Sequence, residues 1–186
     1  MMQQTQIPRD VFGEYLKTKT DNLELAKTDS SYRNKTSNQE LVCNEGLATL
    51  GDAVLRLGLT HIIHEMDEDK ISNMRQQFES DKVLVVRIGK YYHIRRLLKF
   101  DNKDKNKQHG YAWGSGRNSS KDSDSKNNHA QKYIATAMEA CLGAFYLDNE
   151  MSMKSVLNVV SYWMCIIEPE LRSNPVMQKY LNLSLD

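Results

Sequence analysis

Proline, glycine and cysteine are all scarce in this sequence. Its 186 residues include only 3 Pro and 9 Gly, and the long stretches between them exclude the turn-rich pattern of a β-sandwich or barrel. The 3 Cys, at positions 43, 141 and 165, are odd in number and widely spaced, which excludes a disulfide framework and a zinc motif. We therefore expect an all-α fold with reduced, buried thiols, as in a cytoplasmic protein.

Long apolar runs and a strong net charge are also missing. No segment approaches the roughly 18 consecutive apolar residues of a spanning helix, and residues Met1–Pro8 lack the apolar core of a signal peptide. We expect no membrane association. The formal net charge is only +1, but 13 Lys and Arg against 4 Asp lie between Lys82 and Lys132. This uneven distribution predicts a basic patch on a chain that is neutral overall.

The length of the chain fits one folded domain with its own core. We expect residues 1–37 to form an N-terminal helix, around Pro8–Leu16, and a polar connector that has one helical turn. Residues 38–186 then form the main helical bundle. Ser37, followed three residues later by Glu40, is typical of a capping box and predicts a buried helix from Leu41 to about Glu65.

Hydrophobic spacing predicts further helices along the rest of the chain. The run Val83–Val86 also fits a strand, although the length of the pattern around it favours a helix. Residues 101–128, rich in Asn, Lys, Ser and Gly, are interpreted as a long basic loop. The predicted helices are Asp67–Gln77, Val83–Leu98, Ala130–Leu147, Met151–Ile167 and a short final helix after Pro169 and Pro175.

Three carboxylates on two of these helices form a candidate metal site. Glu45 and Asp52 are seven residues apart, almost two helical turns, so they share one face, and Glu139 has a similarly apolar setting. Small neighbours would let the two helices approach closely enough for Asp52 and Glu139 to share Mg²⁺ or Mn²⁺. The alternative, that the carboxylates are capping or salt-bridging residues on partly exposed faces, stays open. The small neighbours are Gly46, Ala48, Gly51, Ala53, Ala135, Ala137, Ala140, Gly143 and Ala144.

Five residues of the basic region are candidates for binding nucleic-acid phosphates. A solvated loop is the alternative for them. The pair His61 and His64 also has metal-ligand chemistry, but the wet side of a helix end explains it more simply because no third ligand is evident. The five candidates are Arg117, Asn118, Lys121, Lys126 and Lys132.

Two segments carry a family resemblance. Asn-Glu-Gly-Leu-Ala-Thr-Leu-Gly-Asp-Ala-Val-Leu at 44–55 resembles the signature helix of ribonuclease III, and Ala-Thr-Ala-Met-Glu-Ala-Cys-Leu-Gly-Ala-Phe-Tyr-Leu-Asp at 135–148 resembles its second acidic helix. The resemblance spans about residues 38–167. Two expected carboxylates are replaced, by Ala48 and by Thr136, whereas Glu68 resembles a further acidic residue of the family.

At these same two positions the chain resembles Mini-III, the branch of the family that lacks a double-stranded RNA-binding domain. Gly116-Arg117-Asn118-Ser119 and Lys126-Asn127 resemble the Gly-Arg-Asn and Lys-Asn elements of that branch. No RNA-binding domain is expected after Asp148. The longer N-terminus, Glu45 and the segment around Glu68 differ from Mini-III, so the chain fits a divergent branch between the two.

The resemblance implies an all-α homodimer of the ribonuclease III type that cleaves double-stranded RNA. It implies that Asp52 and Glu139 hold Mg²⁺ or Mn²⁺, with Glu45 as a water-mediated ligand and Glu68 as a further acidic ligand, and ribosomal RNA maturation as the process. Two alternatives stay open. One is an inactive dimer that binds structured RNA or ribosomal assemblies, and the other is an unrelated helical phosphohydrolase acting on nucleotides.

Overall fold

The fold is helical throughout the part of the chain that the structure describes. This structure is a computed structural model that describes residues 8–29, 43–66, 78, 83–99 and 123–183, with backbone only for 84–86 and 123–133. In these ranges the one β feature is an isolated parallel bridge between Thr28 and Lys99. The prediction of an all-α fold is confirmed.

The described ranges contain six α-helices and three shorter helical segments. The short segments are a π-helical turn, Leu84–Gly89, and two 3₁₀ segments, Ile94–Arg96 and Pro169–Ser173. The α-helices are α1 (Val11–Tyr15), α2 (Asp21–Ala26), α3 (Glu45–His64), α4 (Ser123–Asp148), α5 (Met153–Ile167) and α6 (Pro175–Leu181).

The N-terminal segment forms two short helices with side-chain caps. The Asp10 carboxylate accepts a hydrogen bond from the Gly13 amide at the start of α1, and the Thr20 hydroxyl accepts one from the Leu23 amide at the start of α2. The predicted N-terminal helix is therefore confirmed, and α2 provides the helical turn expected in the connector. The predicted domain boundary at residue 37 lies outside the described residues.

Helix α3 begins later than the sequence pattern predicts. Its first residue is Glu45 rather than Leu41, and its N-cap, Asn44, makes no side-chain capping bond within the helix. Instead, the Asn44 amide donates to the Thr28 carbonyl and its side chain to the Ala26 carbonyl. These two contacts join the start of α3 to the end of α2 and the residues just after it. The predicted capping box, Ser37–Glu40, lies outside the described residues.

The segment from Val83 to Lys99 is helical but broken. The π-helical turn excludes the strand interpretation of Val83–Val86, and the predicted continuous helix is interrupted at His93, whose φ of 51° is left-handed. The predicted helix Asp67–Gln77 lies outside the described residues.

The C-terminal third follows the predicted pattern with shifted boundaries. Helix α4 begins at Ser123 instead of Ala130, so the predicted loop 101–128 is too long at its C-terminal end. Helix α5 begins at Met153, where the Ser152 hydroxyl accepts from the Ser155 amide, and α6 begins at Pro175. The predicted breaks at Pro169 and Pro175 are confirmed.

One hydrophobic core joins the N-terminal segment to the long helices. Phe12 contacts the rings of Tyr92, Phe145 and Trp163 edge-on, with centroids 5.1–5.8 Å apart. The helix pair α3–α4 forms the largest interface among the described elements. The three cysteines are free and buried, as predicted.

Helix α3 is long and apolar enough to cross a membrane, judged by length and composition alone. The mean hydropathy of its most apolar 18-residue window is 1.2, and 50% of that window is buried inside the fold. Its buried face, which includes Leu55, Leu59 and Ile62, belongs to the hydrophobic core. The helix therefore has the character of a core helix of a folded domain.

Candidate active site

The two acidic helices cross at a pair of glycines. A Cβ added to Gly51 of α3 would overlap the carbonyl oxygen of Glu139 on α4, and one added to Gly143 would overlap the carbonyl oxygen of Leu47. The two backbones therefore touch, without side chains between them. The close approach predicted from the small residues is confirmed, and the backbone of Glu139 contacts Gly51, the residue before Asp52.

Asp52 is the half-buried carboxylate on the α3 side of this crossing. Its side chain retains 39% of its full exposure, and its Oδ1 accepts a hydrogen bond of 2.9 Å from Nε of Arg56, one turn further along the helix. The ion pair partly neutralises the carboxylate in the absence of a metal ion. Asp52 is therefore both salt-bridged, as in the alternative interpretation, and next to the second acidic helix.

Glu139 and Glu45 differ in their burial. Glu139 is half-buried within α4, whereas Glu45 is exposed in the first turn of α3, where a carboxylate favours the positive end of the helix dipole. Of the two positions that depart from the family pattern, Ala48 is buried, at 6% exposure, and Thr136 is half-buried. A carboxylate at position 48 would thus lie inside the protein.

The donor set can be compared with what divalent cations require. Within the described residues, no group of three or more His, Cys, Asp or Glu side chains lies together in a form that could hold a metal ion. Magnesium, however, usually keeps several waters and binds proteins through one or two carboxylates. Asp52 and Glu139, on two helices in backbone contact, are two carboxylates of this kind. Glu68 lies outside the described residues, and the full ligand set stays a prediction.

The candidate RNA-binding residues lie mostly beyond the described ranges. Arg117, Asn118 and Lys121 are outside them. Lys126 and Lys132 both lie in α4, so the prediction that Lys126 belongs to the loop 101–128 is wrong. The structure describes only the backbone at these two positions. Their role in binding phosphates stays a prediction.

The histidine pair at the end of α3 has an electrostatic environment of its own. His61 is exposed and its Nε2 lies 3.7 Å from Oε1 of Glu65, whose carboxylate also binds the Lys179 ammonium at 2.8 Å. The hydrogen bond from Lys179 lowers the pKa of Glu65. These contacts support the simpler interpretation, a solvated helix end that is paired with α6.

Two polar residues that support the site were not identified from the sequence. Asn44 is buried at 2% exposure and fixes the start of α3. Asp148, the last residue of α4, accepts hydrogen bonds from Tyr15 (2.6 Å), Thr20 (2.5 Å) and Asn22 (2.6 Å). Burial raises the pKa of Asp148, but these three hydrogen bonds outweigh it and lower the pKa overall.

Asp148 and Asn44 join the two acidic helices to the same N-terminal segment. Both sets of contacts link residues far apart in the sequence, so no local pattern marks them. In the sequence, the one feature that distinguishes Asn44 and Asp148 is that each is a polar residue at the end of an apolar helix. The N-terminal segment thus braces the start of α3 and the end of α4.

Comparisons with known proteins agree with this architecture. The nuclease domain of ribonuclease III from Campylobacter jejuni is similar in structure, with a TM-score of 0.57 and 19% identity over 85% of this chain and 96% of that one. This likeness shows a shared fold. No curated protein is significantly similar in sequence.

A family model extends the similarity from fold to sequence. The ribonuclease III domain model matches residues 45–150, more than half of the chain. The matched range begins at Glu45, includes Asp52 and the glycine crossing, and ends just after Asp148. The chain therefore belongs to the ribonuclease III domain family and is an endoribonuclease.

Proposed function

We propose that the protein cleaves double-stranded RNA in a divalent-metal-dependent reaction centred on Asp52 and Glu139. The observation that carries the proposal is the backbone contact between Gly51 and Glu139, which brings together the two helices that contain these carboxylates. Membership of the family supports RNA duplexes as the class of substrate.

The residues have distinct roles in this proposal. Asp52 and Glu139 would hold Mg²⁺ or Mn²⁺, and Glu45, exposed in the first turn of α3, would be a water-mediated ligand. The bound ion supplies an activated water nucleophile and positive charge for the phosphodiester. Hydrolysis leaves a 5′-phosphate and a 3′-hydroxyl. Four basic residues and one amide, Arg117, Lys121, Lys126, Lys132 and Asn118, hold the phosphates of the duplex, and Glu68 adds to the acidic site.

The test is cleavage of a labelled RNA duplex with Mg²⁺, Mn²⁺ or EDTA. We expect cleavage that requires the metal and falls at least about 100-fold in Asp52→Asn and in Glu139→Gln, because each substitution removes a charged ligand of the ion. Glu150→Gln and Asp21→Asn, both at exposed positions, are matched controls and should retain activity.

Two outcomes would contradict this proposal. Tight binding of the duplex without cleavage would favour the inactive RNA-binding dimer. Hydrolysis of mononucleotides with little binding of RNA would favour a small-substrate phosphohydrolase.

The Mini-III resemblance supports a narrower substrate. We propose that ribosomal RNA precursors with a helical stem are cleaved in the cytoplasm. The free, buried state of all three cysteines agrees with a reducing compartment. Comparing cleavage of a precursor stem with that of a scrambled duplex of equal length tests this preference.

We further propose that the active form is a homodimer. The nuclease domain of ribonuclease III from Campylobacter jejuni has a region involved in dimer formation. In the present chain, Leu57 on α3 is 56% exposed, next to the exposed Ala53 on the same helix. Exposed apolar side chains on a core helix are typical of an interface.

Light scattering after size exclusion tests the dimer. We expect Leu57→Lys to convert it to a monomer, because the substitution places a charge in the interface. Met151→Lys, which changes another exposed apolar residue (61%), is the control and should leave the mass unchanged. A wild-type monomer at every concentration would contradict the proposal.

A further inference from the structure

The ion pair between Asp52 and Arg56 is a feature that the family resemblance does not supply. Arg56 Nε donates to Asp52 Oδ1 at 2.9 Å, and the two side chains retain 60% and 39% of their exposure. The contact joins a basic side chain directly to a carboxylate proposed to bind a metal ion. A cation that binds Asp52 therefore approaches a carboxylate that already pairs with the guanidinium of Arg56.

The residues one turn before and one turn after Asp52 determine the charge close to its carboxylate. Residues 48, 52 and 56 are successive turns of one face of α3. In this chain they are Ala, Asp and Arg, so these three positions together carry no net charge, and the other carboxylate of the face, Glu45, is exposed two turns before Asp52. With a buried alanine one turn before Asp52, the nearest charge on that face is the positive one of Arg56.

We propose that Arg56 is a positioning residue for Asp52 that sets the affinity of the site for divalent cations. The inference rests on the proposed metal-dependent function. Without metal, the guanidinium orients and neutralises the carboxylate. When a cation binds, the like charge of the guanidinium opposes it, so Arg56 gives up the hydrogen bond and turns toward solvent.

The exposure of the pair makes such an exchange feasible. Exposed helical ion pairs contribute little to stability and are screened by salt, so the contact breaks readily. Arg56 is 60% exposed and its long side chain has room to rotate away. The pair is therefore strong enough to orient Asp52 and weak enough to be displaced.

The test measures Mn²⁺ binding to the full chain without RNA, by electron paramagnetic resonance of the free ion. We expect Arg56→Gln to tighten binding about two- to fivefold, the size of effect typical of an exposed pair. Arg56→Lys keeps the positive charge and should stay closer to wild type. The Mn²⁺ concentration for half-maximal RNA cleavage should fall in the same direction for Arg56→Gln.

Two further variants complete the experiment. Arg9→Gln removes another exposed arginine that pairs with a carboxylate, Glu14 at 2.6 Å, and should leave Mn²⁺ affinity unchanged. Asp52→Asn should abolish the binding. Thermal melting of each variant without metal confirms that it is folded.

The outcomes separate the two proposals. Unchanged or weaker Mn²⁺ binding in Arg56→Gln, with binding still lost in Asp52→Asn, would overturn the role of Arg56 and leave the proposed function intact. Absence of Asp52-dependent Mn²⁺ binding in the wild type, together with absence of RNA cleavage, would overturn both.

Discussion

Gly51 on α3 and Gly143 on α4 lie in direct backbone contact. A Cβ built on Gly51 would come within 3.0 Å of the Gly143 nitrogen, and one on Gly143 within 3.1 Å of the Gly51 nitrogen. Each would also overlap a carbonyl oxygen of the opposite helix. The crossing has no room for a methyl group, so the spacing of the two acidic helices depends on both glycines.

Gly51→Ala should therefore destabilise the protein by at least about 2 kcal/mol, since the methyl group must push two backbones apart. Gly143→Ala should act in the same way. Denaturant unfolding followed by circular dichroism measures the change. RNA cleavage should also fall, because the carboxylates move with their helices.

Gly46→Ala is the matched control for this prediction. A Cβ at Gly46 would meet no atom within 4 Å, and alanine is the better helix former, so a gain of about 0.5–1 kcal/mol is expected. Equal losses in all three variants would show that general helix effects, rather than the crossing, dominate.

Helical elements could be predicted from the sequence where local patterns decide them. The apolar spacing indicated α5 to within two residues of its observed start at Met153. The start of α3 could not be predicted in this way, because Asn44 is held by the carbonyls of Ala26 and Thr28, which are distant in sequence. The polar first turns of α4 resemble a loop in composition.

The candidate site was only partly predictable from the sequence. The small residues correctly indicated that the two acidic helices approach closely. The pair of Asp52 and Arg56 follows the ordinary i,i+4 spacing and could have been identified from it. The contacts of Asp148 could not, because their partners lie more than 120 residues away.

Restoring the two carboxylates that Ala48 and Thr136 replace should make the stability of the folded protein depend on a divalent metal ion. Ala48→Glu places a charge at a position that is 6% exposed, so we expect a loss of about 2–4 kcal/mol without metal. Millimolar Mn²⁺ should recover part of it. Thr136→Asp, at a half-buried position, should cost less. Thermal melting with Mn²⁺ and with EDTA checks both variants, and equal melting temperatures in the two conditions would contradict the prediction.

Asp148→Asn should lower stability at neutral pH by about 1–2 kcal/mol, because Asp148 accepts three hydrogen bonds as a charged group. The folded-state pKa of Asp148 is lowered, so its contribution is present above its unfolded pKa of about 4 and is lost as the pH falls through the folded value.

The stability difference between wild type and Asp148→Asn should therefore narrow below about pH 4. Urea unfolding between pH 7 and pH 2.5 measures this difference, with the exposed Asp21→Asn as control. A difference that stays constant over this range would argue against an ionised Asp148 as the acceptor.

The thiols should be unreactive in the folded protein. Burial raises the pKa of Cys141 to about 12 and that of Cys165 to about 11, so little thiolate exists at pH 8. A chromogenic disulfide reagent should modify neither within minutes, whereas in guanidinium chloride it should titrate all three cysteines. Rapid reaction of two or more thiols in native buffer would mean that Cys141 or Cys165 is accessible to the reagent, which would contradict the prediction.

The contacts of Asp148 have a consequence for the order of folding. The three donors to its carboxylate precede it by 126 to 133 residues. During synthesis the N-terminal segment therefore leaves the ribosome long before its acceptor exists, and it cannot dock until the end of α4 has emerged. Helices α1 and α2 are therefore made well before the carboxylate that holds them in place, and until then the hydrophobic face of Phe12 and Tyr15 is available to chaperones.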